Sequence, residues 1–165
     1  MSTPLVAIVM GSDSDLPVMQ VAAETLATLE VSCELRVSSA HRSPEKTRRL
    51  VAEAVERGVQ VFIVGAGGAA HLAGVIAAET TRPVIGVPLD GSPLKGVDAL
   101  YSTVMMPGGI PVASMAIGKA GAKNAALFAA EILALHDPAL AARLADDRRR
   151  QAEAVEEKDR KVRGG

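Results

Sequence analysis

Short β-branched runs alternate with helix-length stretches along nearly the whole chain, and that alternation limits the folds available to it. Residues 5–10 (LVAIVM), 33–37 (CELRV), 59–64 (VQVFIV), 84–87 (VIGV) and, more weakly, 112–115 (VASM) read as strands. Helices are expected over 15–30, 44–57, 69–80, 97–104 and 119–136. Strands separated by helices of this length imply βαβ units and therefore a parallel sheet. The nearly unbroken apolar character of the strands agrees, because strands covered by helices on both faces have no polar side to show. The expected fold is α/β: a three-layer, doubly wound parallel sheet, flavodoxin-like in strand order.

The 165 residues suit one domain with a sizeable core. With 48% hydrophobic and 22% charged residues the chain is globular rather than disordered. Residues 1–136 are expected to form a single α/β catalytic domain. Asp137-Pro138 opens a different segment: residues 137–165 carry Leu140 and Leu144 four apart, then dense mixed charge. That pattern fits a C-terminal helical arm, docked on another subunit or frayed into solvent.

The formal net charge of −1 gives no electrostatic reason for a nucleic-acid or membrane partner. Aromatics are limited to Phe62, Phe128 and Tyr101, too few for a base-stacking platform. Cys33 is the single cysteine and reads as a small core residue, which suits a reducing cytoplasm. No targeting leader is expected, since residues 5–10 are too short and lack a basic flank. Residues 61–78 contain His71 as their one ionisable side chain and approach the length of a membrane span. Gly65, Gly67 and Gly68 interrupt them, so a buried strand, a glycine turn and a buried helix are expected instead.

Ligands in open α/β sheets bind beyond the carboxyl ends of the strands, and four loops lie there. In Gly11-Ser12-Asp13-Ser14-Asp15, the serine hydroxyls and a helix amino terminus can hold a phosphate, and Asp15 can accept a ribose diol. The same residues also make an ordinary helix cap, and both readings stand. Ser39-Ala40-His41-Arg42-Ser43 sets a proton-transfer group beside a phosphate-gripping one. The alternative is a surface histidine and a helix-end arginine. Gly65-Ala66-Gly67-Gly68-Ala69-Ala70-His71 offers small residues over which a ligand can approach the backbone. The spacing is not that of a dinucleotide fingerprint. Pro107-Gly108-Gly109-Ile110-Pro111 is a loop with no readable role, and His136 reads as a helix-end residue. No motif for metal ligation or a serine nucleophile is present in the sequence.

Taken together, VAIVMGSDSD (6–15), SAHRSP (39–44), GAGGAAHL (65–72), GVDALYS (96–102), MPGGIPV (106–112) and AIGKAGAKNAAL (116–127) closely resemble the PurE family of purine biosynthesis, the N5-carboxyaminoimidazole ribonucleotide mutases. The resemblance implies a cofactor-free transfer of carboxylate from N5 to C4 of an aminoimidazole ribonucleotide, and a homo-octamer with sites near subunit contacts. It makes His41 the general acid/base and places Ser12, Asp15 and Arg42 on the substrate, with Ser14 and Ser39 near its phosphate. Gly67, Gly68 and His71 belong to the loop that encloses the base and the migrating carboxylate. Relatives that take free CO2 typically carry lysine after the SAH histidine and lack GGAAHL, so Arg42 and the intact loop point to the mutase. Met105 stands where many members have glutamine, and residues 90–95 are individual to this chain.

Two alternatives follow. One is a carboxylase taking CO2 directly or acting on a related mononucleotide. The other is a non-catalytic flavodoxin-like module binding a nucleotide or a flavin, against which the scarcity of aromatics argues.

Overall fold

The structure, a computed structural model, describes residues 3–164. Five parallel strands form one sheet: β1 (Val6–Met10), β2 (Cys33–Val37), β3 (Val61–Gly67), β4 (Val84–Leu89) and β5 (Ala113–Ser114). Their spatial order is β2-β1-β3-β4-β5, the flavodoxin-like arrangement. Val6 pairs with Cys33 on one side and Val61 on the other, and Phe62 pairs with Val84. The chain steps outward from β1 to β2 and then returns past β1 to β3. The crevice between β1 and β3 is therefore the topological switch point.

Helices α1 (Leu16–Thr28) and α5 (Lys119–Ala134) cover one face of the sheet. Helices α2 (Pro44–Glu56) and α3 (Leu72–Glu79) cover the other, together with Ala99 of α4 (Val97–Val104). Strand alternation sorts the core between them. Ile8, Met10, Ile63 and Ile85 pack toward α1 and α5, whereas Ala7, Val9, Phe62 and Val64 pack toward Leu50, Val51 and Ile76. Buried Ala122, Ala125, Ala126, Ala129 and Ala130 keep α5 thin enough to lie close to the sheet and α1. β2 is an edge strand whose residues are half-buried or exposed, which explains why it alone carries Glu34 and Arg36.

Several boundaries differ from those expected. β3 runs through Gly65, Ala66 and Gly67, because these continue the ladder with Val87, Pro88 and Leu89. Glycine suits position 65, since the buried Met19 side chain fills the space a Cβ would occupy and would have to shift for a larger residue. α3 starts at Leu72 rather than at residue 69, so residues 61–78 divide into β3, a turn and α3. No helix among the described residues is long and apolar enough to cross a membrane.

α5 stops at Ala134, and Asp137 begins α6 (Pro138–Val162) by accepting the N–H groups of Ala139 and Leu140, each at 3.0 Å. Leu140 is buried and Leu144 packs on the same core cluster. Arg143 donates to the Leu29 carbonyl at 2.8 Å and pairs with Glu30 at 3.5 Å, tying α6 to the end of α1. From Arg148 to Val162 every residue is exposed.

Candidate active site

The loops after β1, β2 and β3 meet because their strands are neighbours. Ser38 N–H donates to the Met10 carbonyl at 2.9 Å, and Gly11 N–H to the Gly65 carbonyl at 3.3 Å. These bonds carry the sheet register one residue past the strands and hold the three loops side by side.

The first loop is a 3-10 turn, Asp13–Asp15, leading directly into α1. Ser12 caps it: Ser14 N–H donates to Ser12 Oγ at 3.3 Å, and Ser12 N–H donates to Asp15 Oδ2 at 3.1 Å. Ser14 Oγ donates to Ser12 Oγ at 2.9 Å, and Ser12 Oγ to Asp13 Oδ1 at 3.1 Å. Burial pushes the Asp15 carboxyl above the usual carboxylate range, and Asp13 adds to the push. The N–H groups of Ser12 and Gly11 oppose it. Asp15 thus combines the capping role with a carboxylate oxygen that faces reduced hydration.

The second loop is braced from within. Buried Ser38 and Thr47 share a hydroxyl hydrogen bond at 2.8 Å. Ser39 N–H donates to Ser43 Oγ, Ser43 Oγ donates back to the Ser39 carbonyl, and Arg42 N–H donates to Ser39 Oγ, all at 3.1 Å. The serines therefore fix the backbone, and His41 and Arg42 stand exposed at its tip. Because the Ser43 side chain turns back to Ser39, it makes no cap on α2. The third loop turns at Gly68, whose φ of +61° suits glycine, and reaches His71 immediately before α3. Ser102 Oγ of α4 lies 3.4 Å from the Gly68 carbonyl.

The second and third loops converge on one contact. His41 Nε2 lies 2.7 Å from His71 Nδ1, with ring centroids 4.8 Å apart and planes at 81°. Such a contact needs one hydrogen between the two nitrogens, so the rings bind a single proton at this junction. Beside it, a cavity of about 280 Å³ is lined by Gly11, Ser12, Asp13, Val37, Ser38, Ser39, Arg42, Ser43 and Lys46.

Of the residues expected from sequence, Ser12, Ser39 and Arg42 share that cavity, while His41 pairs with His71. Gly67 and Gly68 lead from β3 to His71, and Ser14 and Asp15 buttress the first loop. Lys46 was not anticipated. Its signal was its position four residues after Arg42, at the start of α2. A larger cavity, about 1100 Å³, lies at the opposite end of the sheet, between the last turns of α2 and α3 and the start of β4. Its lining is mostly apolar and includes none of the expected site residues.

The AIR carboxylase family model matches residues 5–154. The chain belongs to the AIR carboxylase family. Its relatives in that family include an N5-carboxyaminoimidazole ribonucleotide mutase of Escherichia coli (strain K12), 57% identical over 150 residues, covering 91% of this chain and 89% of that protein. A mutase of the same name from Thermotoga maritima is 48% identical over 159 residues, covering 96% and 92%. The crystal structure of Treponema denticola PurE superposes with a TM-score of 0.86 at 32% identity, covering 96% of this chain and 98% of that one.

Proposed function

We propose that this chain is an N5-carboxyaminoimidazole ribonucleotide mutase of purine biosynthesis. The observation that carries the reading is the His41–His71 contact at the switch point, beside a cavity holding Arg42 and Ser12. A proton-transfer group and an anion site sit next to each other, as a carboxylate migration on a phosphorylated nucleotide requires.

In this mechanism protonated His41 gives its proton to N5 as the N5–carboxyl bond breaks, leaving aminoimidazole ribonucleotide and CO2. The electron-rich C4 then attacks the CO2 carbon, and the C4 proton returns to the imidazole as the ring regains aromaticity. One proton leaves His41 and one comes back, so the isomerisation is balanced. His71 holds the His41 ring between these events. The backbone around Gly67 and Gly68 encloses the migrating carboxylate without a fixed charge, and Ser12, Asp15, Arg42, Ser14 and Ser39 hold ribose and phosphate.

The enzyme works as a homo-octamer in the cytoplasm without a bound cofactor, with residues 1–136 as the catalytic domain and residues 137–165 as an arm. Association is supported by the exposed apolar side chains Val97, Tyr101, Val104 and Met105 along α4 and its end. Gel filtration with light scattering tests it, and a monomer refutes it.

The deciding assay follows conversion of N5-carboxyaminoimidazole ribonucleotide to its C4 isomer by ultraviolet absorbance, with chelator and without ATP. A parallel reaction supplies aminoimidazole ribonucleotide and bicarbonate. Turnover in the first is expected; turnover in the second alone makes the protein a direct carboxylase.

A further inference from the structure

Lys46 is a cation in an unfavourable place. It lies in the first turn of α2, where unpaired N–H groups and the helix dipole already concentrate positive potential. The nearest acid in sequence, Glu45, is committed elsewhere, with its Oε1 2.8 Å from Arg48 Nη1. Arg48 also reaches Glu79, and Arg49 pairs with Glu53. Among the described residues Lys46 and Arg42 make no ion pair, although both line the 280 Å³ cavity. Ser43 leaves the helix end uncapped on the same side. Asp13 is the opposing charge there, and its Oδ1 already accepts Ser14 N–H and Ser12 Oγ. Two unpaired cations and an uncapped helix start around one cavity break a local rule, and a bound anion repairs it.

From this arrangement we infer that Lys46 is a second phosphate-binding residue, holding the 5′-phosphate of the nucleotide together with Arg42. The inference rests on the ribonucleotide reading above and adds a residue to it. Arg42 grips two phosphate oxygens as a fork, and Lys46 supplies a point charge that selects the dianion over the monoanion. Asp13 moderates the attraction so that product can leave.

The experiment compares wild type with Lys46→Met, Lys46→Arg and Asp13→Asn. It measures mutase kinetics and, separately, calorimetric binding of ribose 5-phosphate. Lys46→Met should raise KM and weaken ribose 5-phosphate about fivefold to tenfold, the scale of one exposed charge-assisted bond, with kcat changed less than about twofold. The slope of log KM against log salt should become shallower, because one fewer charge is screened. Lys46→Arg should restore affinity, and Asp13→Asn should tighten it. Unchanged KM, salt slope and ribose 5-phosphate affinity in Lys46→Met overturn the inference while leaving the mutase reading intact. If wild type lacks mutase turnover but binds ribose 5-phosphate through Lys46, the function fails and the phosphate site stands. Failure of wild type to bind ribose 5-phosphate overturns the site.

Discussion

His41, His71 and Asp15 each make only one or two side-chain contacts, so single substitutions there should separate the roles. His41→Asn keeps a polar side chain of similar reach but cannot take up and return a proton, so turnover should fall about 100- to 10,000-fold while nucleotide binding persists. Stopped-assay kinetics with calorimetric binding checks this; near-normal turnover removes His41 from the mechanism. His71→Asn should cost far less, within about tenfold in kcat. It loses one exposed hydrogen bond, worth about 0.5–1.5 kcal/mol, and His41 retains its own proton chemistry. Asp15 has a pH signature. Its folded carboxyl holds a proton at pH values where the unfolded chain has released it, so stability falls as pH rises from the ordinary carboxylate range through the raised value. Asp15→Asn removes that dependence, should melt above wild type near neutral pH, and should lose the advantage in acid. Melting scans at several pH values test it, and a constant gap refutes the assignment. The loop carrying His41 and Arg42 was legible because a histidine and an arginine share a short stretch between a strand and a helix. Their partners were less so. His71 lies 30 residues from His41, and only the parallel pairing around β1 brings the rings together. Lys46 stands out only in the structure, where its neighbours Arg48 and Arg49 pair with acids and it does not.

At the scale of elements, existence was easier to read than extent. Strand and helix order followed from apolar runs, yet β3 continued through a glycine-rich sequence that signals a loop. Its ladder to β4 runs on through these residues, and the buried Met19 side chain occupies the space beside Gly65. Tertiary packing decided that boundary, and local propensity could not. The start of α6 shows the reverse. Asp137-Pro138 is a cap and first-turn pair written in the sequence, and the structure uses it as such. What the pair could not reveal is how firmly the first turns dock. Leu140 is 2% exposed within the α1–α5 cluster, so Leu140→Ala should cost about 2–4 kcal/mol. Urea unfolding measures it; a loss within about 0.5 kcal/mol, the scale of a surface substitution, means that the helix is not held by this contact.

The whole molecule joins a densely packed sheet sandwich to a helix that outlasts its contacts. The strand order was legible because apolar, parallel strands leave few topologies open, and the expected flavodoxin-like order is the one found. The fate of the arm was not legible, since alternating charge suits both a solvated helix and one laid on a neighbour. Within one chain, apolar docking ends near Leu144 and the Arg148–Glu131 pair at 2.7 Å adds one more link to α5, while the distal turns rest on ion pairs such as Glu157–Lys161 at 2.7 Å and Asp159–Arg163 at 3.1 Å. Such pairs support a helix by about 0.3–0.5 kcal/mol each but do not anchor it. Residues 151–165 carry four cations and four anions, so removing them leaves net charge unchanged and isolates the effect of contact. Truncation after Arg150 should therefore keep the urea midpoint and the assembly mass of the full chain. Truncation after Asp137 should lower the midpoint sharply, because it also removes Leu140 and the Arg143 bond to Leu29. If the shorter cut alone lowers either quantity, the distal helix is buried between copies of the chain, and the arm belongs to the assembly rather than to solvent.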